Sequence, residues 1–428
     1  MRAEIQREML DLYNTPLVSF TMNIAGPLKN SSVISRAFDL GIELIKKELV
    51  GYPLLEFRER RGSCGNAGFF SVDADACELK SRLVNIEDTH SLGRLFDMDV
   101  IDRSGAHLCR ESERGCMVCG APGRACAAGR LHPVEVIVAK TDEILTNYFT
   151  RVDAKRISAI ATDSILAEVY TYPKPGLVDP KSRGSHPDMT VSDFERSAEA
   201  IGPYLEKFIL SGAENKNAPA DTVLPQLRKI GLEAERAMYD ATNGKNTHKG
   251  IIFSFGIILG AIGMLMVADG SLPSVEAILE KAKIISQPHL SGELAMADGK
   301  TAGERAYLEY GARGIRGEAM DGFPAIKEIS LPQYEKALES GKNKNDAGVI
   351  TLLHLIANLY DTCLYKRGGN DGVTYAQSYA GSVIEKNEFK LEELVRMDSD
   401  FTKRNLSPGG CADLLALTYF LAELQKKR

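Results

Sequence analysis

At 428 residues the chain is too long for one ordinary hydrophobic core, so two domains are expected. A formal net charge of -6 argues against a dedicated nucleic-acid binder and fits a protein with a local basic pocket for a small anionic ligand. The opening run Met-Arg-Ala-Glu-Ile-Gln-Arg-Glu-Met-Leu lacks the apolar core of a signal peptide, and Cys109, Cys116, Cys119 and Cys126 crowd together; both point to a cytoplasmic protein whose cysteines serve metal or thiol chemistry rather than disulfides.

Strand formers dominate residues 17–24 and 68–73, and polar and apolar residues alternate over 97–101, with a helical period at 33–49 between them. This mixture predicts an α+β domain over residues 1–150. A helical pattern at 133–149 leads out of the cysteine region, and Thr150-Arg-Val-Asp153 is the expected boundary. Beyond it, helical periods at 157–170, 191–210, 224–242, 251–267, 274–285, 350–360 and 411–426 predict an all-α domain over 151–428. Residues 251–267 carry no charge and reach the lower edge of membrane-spanning length, but without a second such span they read as a buried core helix.

In the first domain, Gly93-Arg94-Leu-Phe-Asp97-Met-Asp99 sets two carboxylates at i and i+2. On a strand they share a face and can share a divalent cation such as Mg²⁺, the means by which nucleotidyl transfer neutralises a departing pyrophosphate. Taken alone the pair also fits two solvated strand residues. Arg94, His90, Asn23 and Lys29 are nearby candidates for phosphate contacts. Cys116, Cys119, Cys126 and His132 follow the pattern C-x2-C-x6-C-x5-H, which fits a closed structural Zn²⁺ site that would staple a loop, or else free or redox thiols.

Glycine-rich, charged stretches punctuate the second domain. Thr171-Tyr-Pro-Lys174-Pro-Gly-Leu-Val-Asp179 offers a cation and a carboxylate. Asn243-Gly244-Lys245-Asn-Thr-His248-Lys249-Gly250 concentrates positive potential just ahead of an apolar helix, and Gly311-Ala-Arg313-Gly-Ile-Arg316-Gly-Glu318 alternates arginine forks with glycine. Arg367-Gly-Gly369 follows Asp361, and Ser407-Pro-Gly409-Gly410-Cys-Ala-Asp413 opens the last helix. Each stretch has a plainer reading as a solvated loop or helix cap. Together they form the inventory that polyphosphate chemistry requires.

Residues 1 to about 150, through Thr21-Met-Asn-Ile-Ala-Gly-Pro-Leu-Lys29, Gly-Arg-Leu-Phe-Asp-Met-Asp-Val and the Cys/His cluster, resemble the apo-citrate lyase phosphoribosyl-dephospho-CoA transferase family. The rest, through Pro-Lys-Pro-Gly-Leu-Val-Asp, Asn-Thr-His-Lys-Gly, Gly-Ala-Arg-Gly-Ile-Arg-Gly-Glu, Arg-Gly-Gly and Ser-Pro-Gly-Gly, resembles triphosphoribosyl-dephospho-CoA synthase. Cys411 departs from that pattern, standing where a small residue is expected beside Gly-Gly. The resemblance implies a bifunctional enzyme. ATP and 3′-dephospho-CoA give the triphosphoribosyl product and adenine, and a serine of the apo acyl-carrier subunit of citrate lyase then takes that product with loss of pyrophosphate. Asp179, Glu318, Asp361 and Asp413 become candidate catalytic carboxylates. Lys174, Gly244, Lys245, His248, Lys249, Arg313, Arg316, Arg367, Gly409 and Gly410 become candidate ligands of the phosphates, with Mg²⁺ sharing the load. A nucleotidyltransferase-like first domain follows from the Asp97–Asp99 pair. Neither nucleic acid nor a membrane is an expected partner, and a homo-oligomer stays open. The equivalent pair serving malonate decarboxylase and a non-catalytic carrier-protein adaptor are the rival readings.

Overall fold

The computed structural model describes residues 2–386 and 389–427. They fall into two compact units, one reaching to Arg151 and including Val267–Gly270, the other made of Val152–Met266 and the residues from Ser271 onward.

The first unit runs α1 (Arg2–Tyr13), β1 (Leu17–Met22), α2 (Ser32–Glu48), β2 (Leu54–Arg60), β3 (Ala67–Val72), α3 (Ala76–Thr89), β4 (Phe96–Ile101) and α4 (Gly123–Gly129), and takes in the start of α5 (Val134–Tyr170). The strands form one antiparallel sheet in the order β2-β3-β1-β4. Ser31 caps α2 by accepting the Ile34 N–H, and Ile34, Phe38, Ile42 and Ile45 then recur at helical spacing to bury one face. They meet Val18, Phe20 and Phe70, the inward residues of the sheet, in the main core of the unit. The opposite sheet face carries Leu17 and Phe69, packed with Met9 of α1.

α5 is a single helix of 37 residues that passes through the expected boundary, Thr150-Arg-Val-Asp153, without a break. That stretch holds neither glycine nor proline, so the two helical patterns on either side have nothing to stop them joining.

The second unit is helical throughout its described residues. It contains α6 (Val191–Glu214), α7 (Ala220–Ala241), α8 (Lys249–Leu265), α9 (Val275–Ala295), α10 (Ala302–Tyr310), α11 (Gly314–Met320), α12 (Leu331–Glu339), α13 (Lys344–Asn358), α14 (Thr362–Glu385), α15 (Leu391–Lys403) and α16 (Gly409–Lys426). α8 is the apolar run at 251–267, buried on nearly every side. A Cβ at Gly263 would lie 2.0 Å from the Ile209 carbonyl oxygen, and one at Gly212 2.1 Å from that of Gly260, so α6 and α8 pack backbone against backbone. Among the described residues no single helix is long and apolar enough to cross a membrane; only the bent pair α13 and α14 reaches that composition. Arg367-Gly-Gly369, read as a loop motif, lies inside α14, where Gly369 breaks the helix at φ 63°.

Candidate active sites

In the first unit the alternation of β4 puts Asp97 and Asp99 on one face, opposite Thr21 and Ser19 of β1. The Thr21 hydroxyl donates to Asp97 Oδ2 at 3.2 Å. Burial and the Asp97 charge beside it push the Asp99 carboxyl above the ordinary range. Two carboxylates on a single strand face suit a shared divalent cation.

Asp97 lines a cavity of about 930 Å³ together with Asn23, Arg94, Arg110 and Arg114. Arg94 has no ion-pair partner among the described residues, and its Nε is buried unpaired. Burial and the neighbouring Arg114 lower its pKa, so an anion placed there would relieve both. Arg110 pairs with Asp88 at 2.5 Å, and Arg114 with Glu87 at 2.6 Å while donating to the Phe96 carbonyl at 2.8 Å. Neither arginine stood out in the sequence; their only signal was basic residues flanking the cysteine cluster. Two suggested phosphate ligands are engaged elsewhere. Lys29 Nζ donates to the Ile24 carbonyl at 2.6 Å. His90 stacks on Phe96, its Nδ1 accepts the Leu92 N–H, and burial lowers its pKa.

The ligating atoms of Cys116, Cys119, Cys126 and His132 lie within 4.8 Å of one another. Cys119 and Cys126 Sγ are 3.5 Å apart and His132 Nε2 is 3.2 Å from Cys119 Sγ, close to the edges of about 3.8 Å in a tetrahedral thiolate site. Backbone N–H groups of Cys119 and Val118 draw the Cys116 thiol down to about 6, while the Cys119 thiol and burial push Cys126 up. The donor set thus fits zinc. Cys116, Cys126 and His132 also line the cavity that Asp97 lines, so the cluster shapes a wall of that cavity.

In the second unit two cavities, of about 430 and 280 Å³, share Asn246, Lys249, Gly250, Cys363 and Asp413. Glu318, Asp361, Arg313 and Gly410 line the larger; His248, Arg367 and Gly409 line the smaller. All five glycine-rich motifs therefore converge on one place, since Lys174, Leu177 and Val178 line the smaller cavity as well. Helix starts bring them there, α8 opening at Lys249 and α16 at Gly409. A Cβ at Gly250 would lie 1.8 Å from Asp413 Oδ2, so only glycine allows α8 this close to α16.

The carboxyls of this site differ in their surroundings. The Asp413 side chain has no hydrogen-bond partner among the described residues, and burial, Glu168 and Asp361 raise its pKa well above the ordinary range, which favours the protonated form. Burial pushes Glu318 up to about 7, while its Oε2 accepts the Ala325 N–H at 3.0 Å. Asp361 caps α14 through the Cys363 and Leu364 amides and accepts the Cys411 N–H at 2.9 Å; burial raises its pKa against the pull of these donors. It ties two helix starts together.

His248 was expected to add positive charge. Buried, with its pKa lowered to about 3, it is neutral. Thr247 donates to Ser197 Oγ at 2.7 Å, so the Ser197 proton goes to His248 Nδ1, also at 2.7 Å, and the ring proton sits on Nε2, which has no protein partner. Arg367 is fixed by the Ser185 carbonyl, Asn405 and His186. His186, its pKa lowered to about 4 by burial and Arg367, holds the Ser407 hydroxyl at 2.8 Å. Lys366, not singled out in the sequence, lines the smaller cavity without an ion-pair partner among the described residues.

Several expected residues take other roles. Lys174 is 2% exposed and its Nζ pairs with Glu168 at 2.6 Å, so it balances a buried carboxylate and is not free for phosphate. Asp179 accepts the amides of Lys174, Lys181 and Ser182, which makes it the organiser of its own turn. Lys245 pairs with Asp193 at 3.0 Å, and Gly244, at φ 81°, turns the chain after α7; neither lines the two cavities. Arg313 lines the larger cavity while pairing with Asp321, whereas Arg316 lies on a separate groove. Lys249 lines both cavities and is held by Glu235 at 2.9 Å.

A strand-borne carboxylate pair beside arginines in one unit, and carboxyls among helix starts in the other, suit phosphorylated ligands, and the family models that the two parts match are both of transferases. Residues 1–148 match the family model described as apo-citrate lyase phosphoribosyl-dephospho-CoA transferase, and residues 154–428 the one described as ATP:dephospho-CoA triphosphoribosyl transferase. "Protein CitXG" of Haemophilus influenzae is 32% identical over 98% of this chain and 93% of its own length. Its namesake in Leuconostoc mesenteroides subsp. cremoris is 32% identical over 99% and 95%. The 2-(5''-triphosphoribosyl)-3'-dephosphocoenzyme-A synthase of Pectobacterium atrosepticum is 38% identical over 66% of this chain and 94% of its own. The chain belongs to the family in which these two transferases are fused, the attachment part first and the synthase part second.

Proposed function

We infer that this chain makes the prosthetic group of citrate lyase and attaches it, with synthesis in the second unit and attachment in the first. In synthesis, the 2′-hydroxyl oxygen of 3′-dephospho-CoA bonds to C1′ of the ATP ribose, the bond from C1′ to adenine breaks, and the triphosphate stays on the ribose. Glu318, with a pKa near neutrality, accepts the hydroxyl proton, and the protonated Asp413 donates to the departing base. Asp361 holds the starts of α14 and α16 in register. Lys249, Lys366 and Arg367, with the helix starts at His248 and Gly409, draw the triphosphate, and neutral His248 donates from Nε2. The observation that carries this reading is the half-buried, unpartnered Asp413, which lines both cavities.

In attachment, a carrier serine oxygen bonds to the α-phosphorus of that product and pyrophosphate leaves. The Asp97–Asp99 pair on one strand face supports a nucleotidyltransferase-like role for the first unit. These two residues would hold Mg²⁺, which supplies charge neutralisation on the leaving pyrophosphate. Arg94 stands ready for a phosphoryl oxygen. Cys116, Cys119, Cys126 and His132 would hold Zn²⁺ as a structural clamp on the cavity wall.

Mass spectrometry of ATP, Mg²⁺ and dephospho-CoA incubated with the protein tests the first step: free adenine with every phosphate retained is expected, and AMP or ADP as the nucleotide product would reject it. Adding the apo acyl-carrier subunit of citrate lyase, or that of malonate decarboxylase, tests the second; a mass gain on the former that requires the product of the first step is expected.

A further inference from the structure

A third cavity of the second unit, a groove of about 480 Å³ bounded by α7, α8 and α11, adjoins the 430 Å³ cavity, with Lys249, Gly250 and Ile315 in the lining of both. Leu224, Leu227, Ile252 and Ile257 form aliphatic walls. Charge is confined to the rim, where Arg228 pairs with Glu293 and Glu235 with Lys249. Arg316 also lies on this groove, and among the described residues it has neither an ion-pair nor a hydrogen-bond partner.

We propose that this groove takes the pantetheine arm of dephospho-CoA, with Arg316 on the pyrophosphate that joins the arm to the nucleoside. The inference rests on the synthase reading and deepens it. The apolar walls bury methyl and methylene groups, both of which the pantetheine arm carries, and leave its two amides to Arg228, Glu235 and Glu293, which also line the groove. An unpaired guanidinium at the mouth of an apolar groove complements a ligand that is anionic at one end and largely uncharged along its arm. Donor and acceptor in this reaction both carry an adenosine and a chain of phosphates. Only the acceptor has the arm, so the groove is the feature that sorts dephospho-CoA from a second ATP.

Initial rates of adenine release by the full chain, with each substrate varied against a saturating concentration of the other, test this. A Cβ at Gly231 meets only Ile252 Cγ2 at 3.8 Å and Phe208 Cζ at 4.0 Å, so Gly231→Phe directs its ring into the groove without moving backbone. Leu232→Asp, at a groove residue 57% exposed, adds a charge with little risk to folding. Both variants, and Arg316→Ala, are expected to raise KM for dephospho-CoA about tenfold while KM for ATP stays within about twofold. An unchanged KM for dephospho-CoA in variants that melt like the wild type, or an equal rise in KM for ATP, overturns the proposal. Should the wild type release no adenine, the synthase reading falls separately. Calorimetric titration of dephospho-CoA into the wild type and Leu232→Asp then still decides the groove, equal affinities counting against it.

Discussion

The two units hold their carboxyls in opposite ways. In the first, Asp97 and Asp99 sit two residues apart on one strand, and burial with the Asp97 charge makes ionisation of Asp99 harder, a conflict that a divalent cation would relieve. In the second, Glu318, Asp361 and Asp413 come from α11, the cap of α14 and the second turn of α16, and burial rather than pairing is the first cause of every shift. The contrast follows the chemistry. Displacement at phosphorus needs negative charge spread and neutralised, while displacement at a ribose carbon needs one proton accepted and another supplied.

The sharpest way to break this comparison is a double dissociation. Asp413→Asn should lower adenine release about 10³-fold, yet leave attachment of presynthesised triphosphoribosyl-dephospho-CoA to the carrier within about twofold. Replacing both Asp97 and Asp99 by Asn should do the reverse, read as carrier mass gain against adenine release. If either change depresses both reactions alike, the assignment of one site to each unit is wrong. The same experiment separates the enzyme from a non-catalytic adaptor.

Lys174 sharpens the contrast through stability. Lys174→Ala strands Glu168 in the interior and should destabilise the second unit by about 3–5 kcal/mol, measured by denaturant unfolding. Lys245→Ala removes a half-exposed partner from Asp193, which keeps Arg196 at 2.6 Å, and should cost below about 1 kcal/mol. Equal effects would mean that Lys174 is not the structural cation its burial makes it.

These two lysines also mark how far the sequence could be read. The i, i+2 spacing of Asp97 and Asp99 put them on one face without further information, because strand geometry is local. The apolar run at 251–267 read as a core helix because nothing in it could face water. Lys174 in Thr171-Tyr-Pro-Lys-Pro-Gly looked like Lys249 in Asn-Thr-His-Lys-Gly, and both line the smaller cavity, but Lys174 is tied to the buried Glu168 and Lys249 to the partly exposed Glu235. That choice depends on what packs across from each. Arg313 and Arg316, three residues apart on one motif, likewise open onto different cavities. Asp179 looked catalytic by composition, but its three amide donors come from its own turn. His248 carried an ordinary imidazole's promise of charge until its burial and the Thr247–Ser197 relay made it neutral.

Metal content addresses the first unit alone. One zinc per chain is expected by elemental analysis, lost in Cys119→Ser. Because Arg114 and the cluster wall the same cavity, that variant should slow attachment by about tenfold and leave adenine release unchanged. Zinc-free protein with full attachment activity would reduce the cluster to a set of thiols.

The smallest effect is a matter of pH. Glu318 must be ionised to accept the hydroxyl proton, so kcat for adenine release should climb as pH rises through about 7, and Glu318→Gln should remove that limb together with most of the rate. Stability should move the other way. The folded pKa, about 7, lies above the ordinary glutamate value of 4.5, so between these values the folded state holds a proton that the unfolded chain has released, and stability falls as pH rises across that window. Glu318→Gln should flatten this part of the melting-temperature profile and raise the melting temperature at pH 8 relative to the wild type. A rate limb that persists in the variant would assign the base to another group. A stability profile identical to the wild type would mean that the buried carboxyl at Ala325 is not the one titrating.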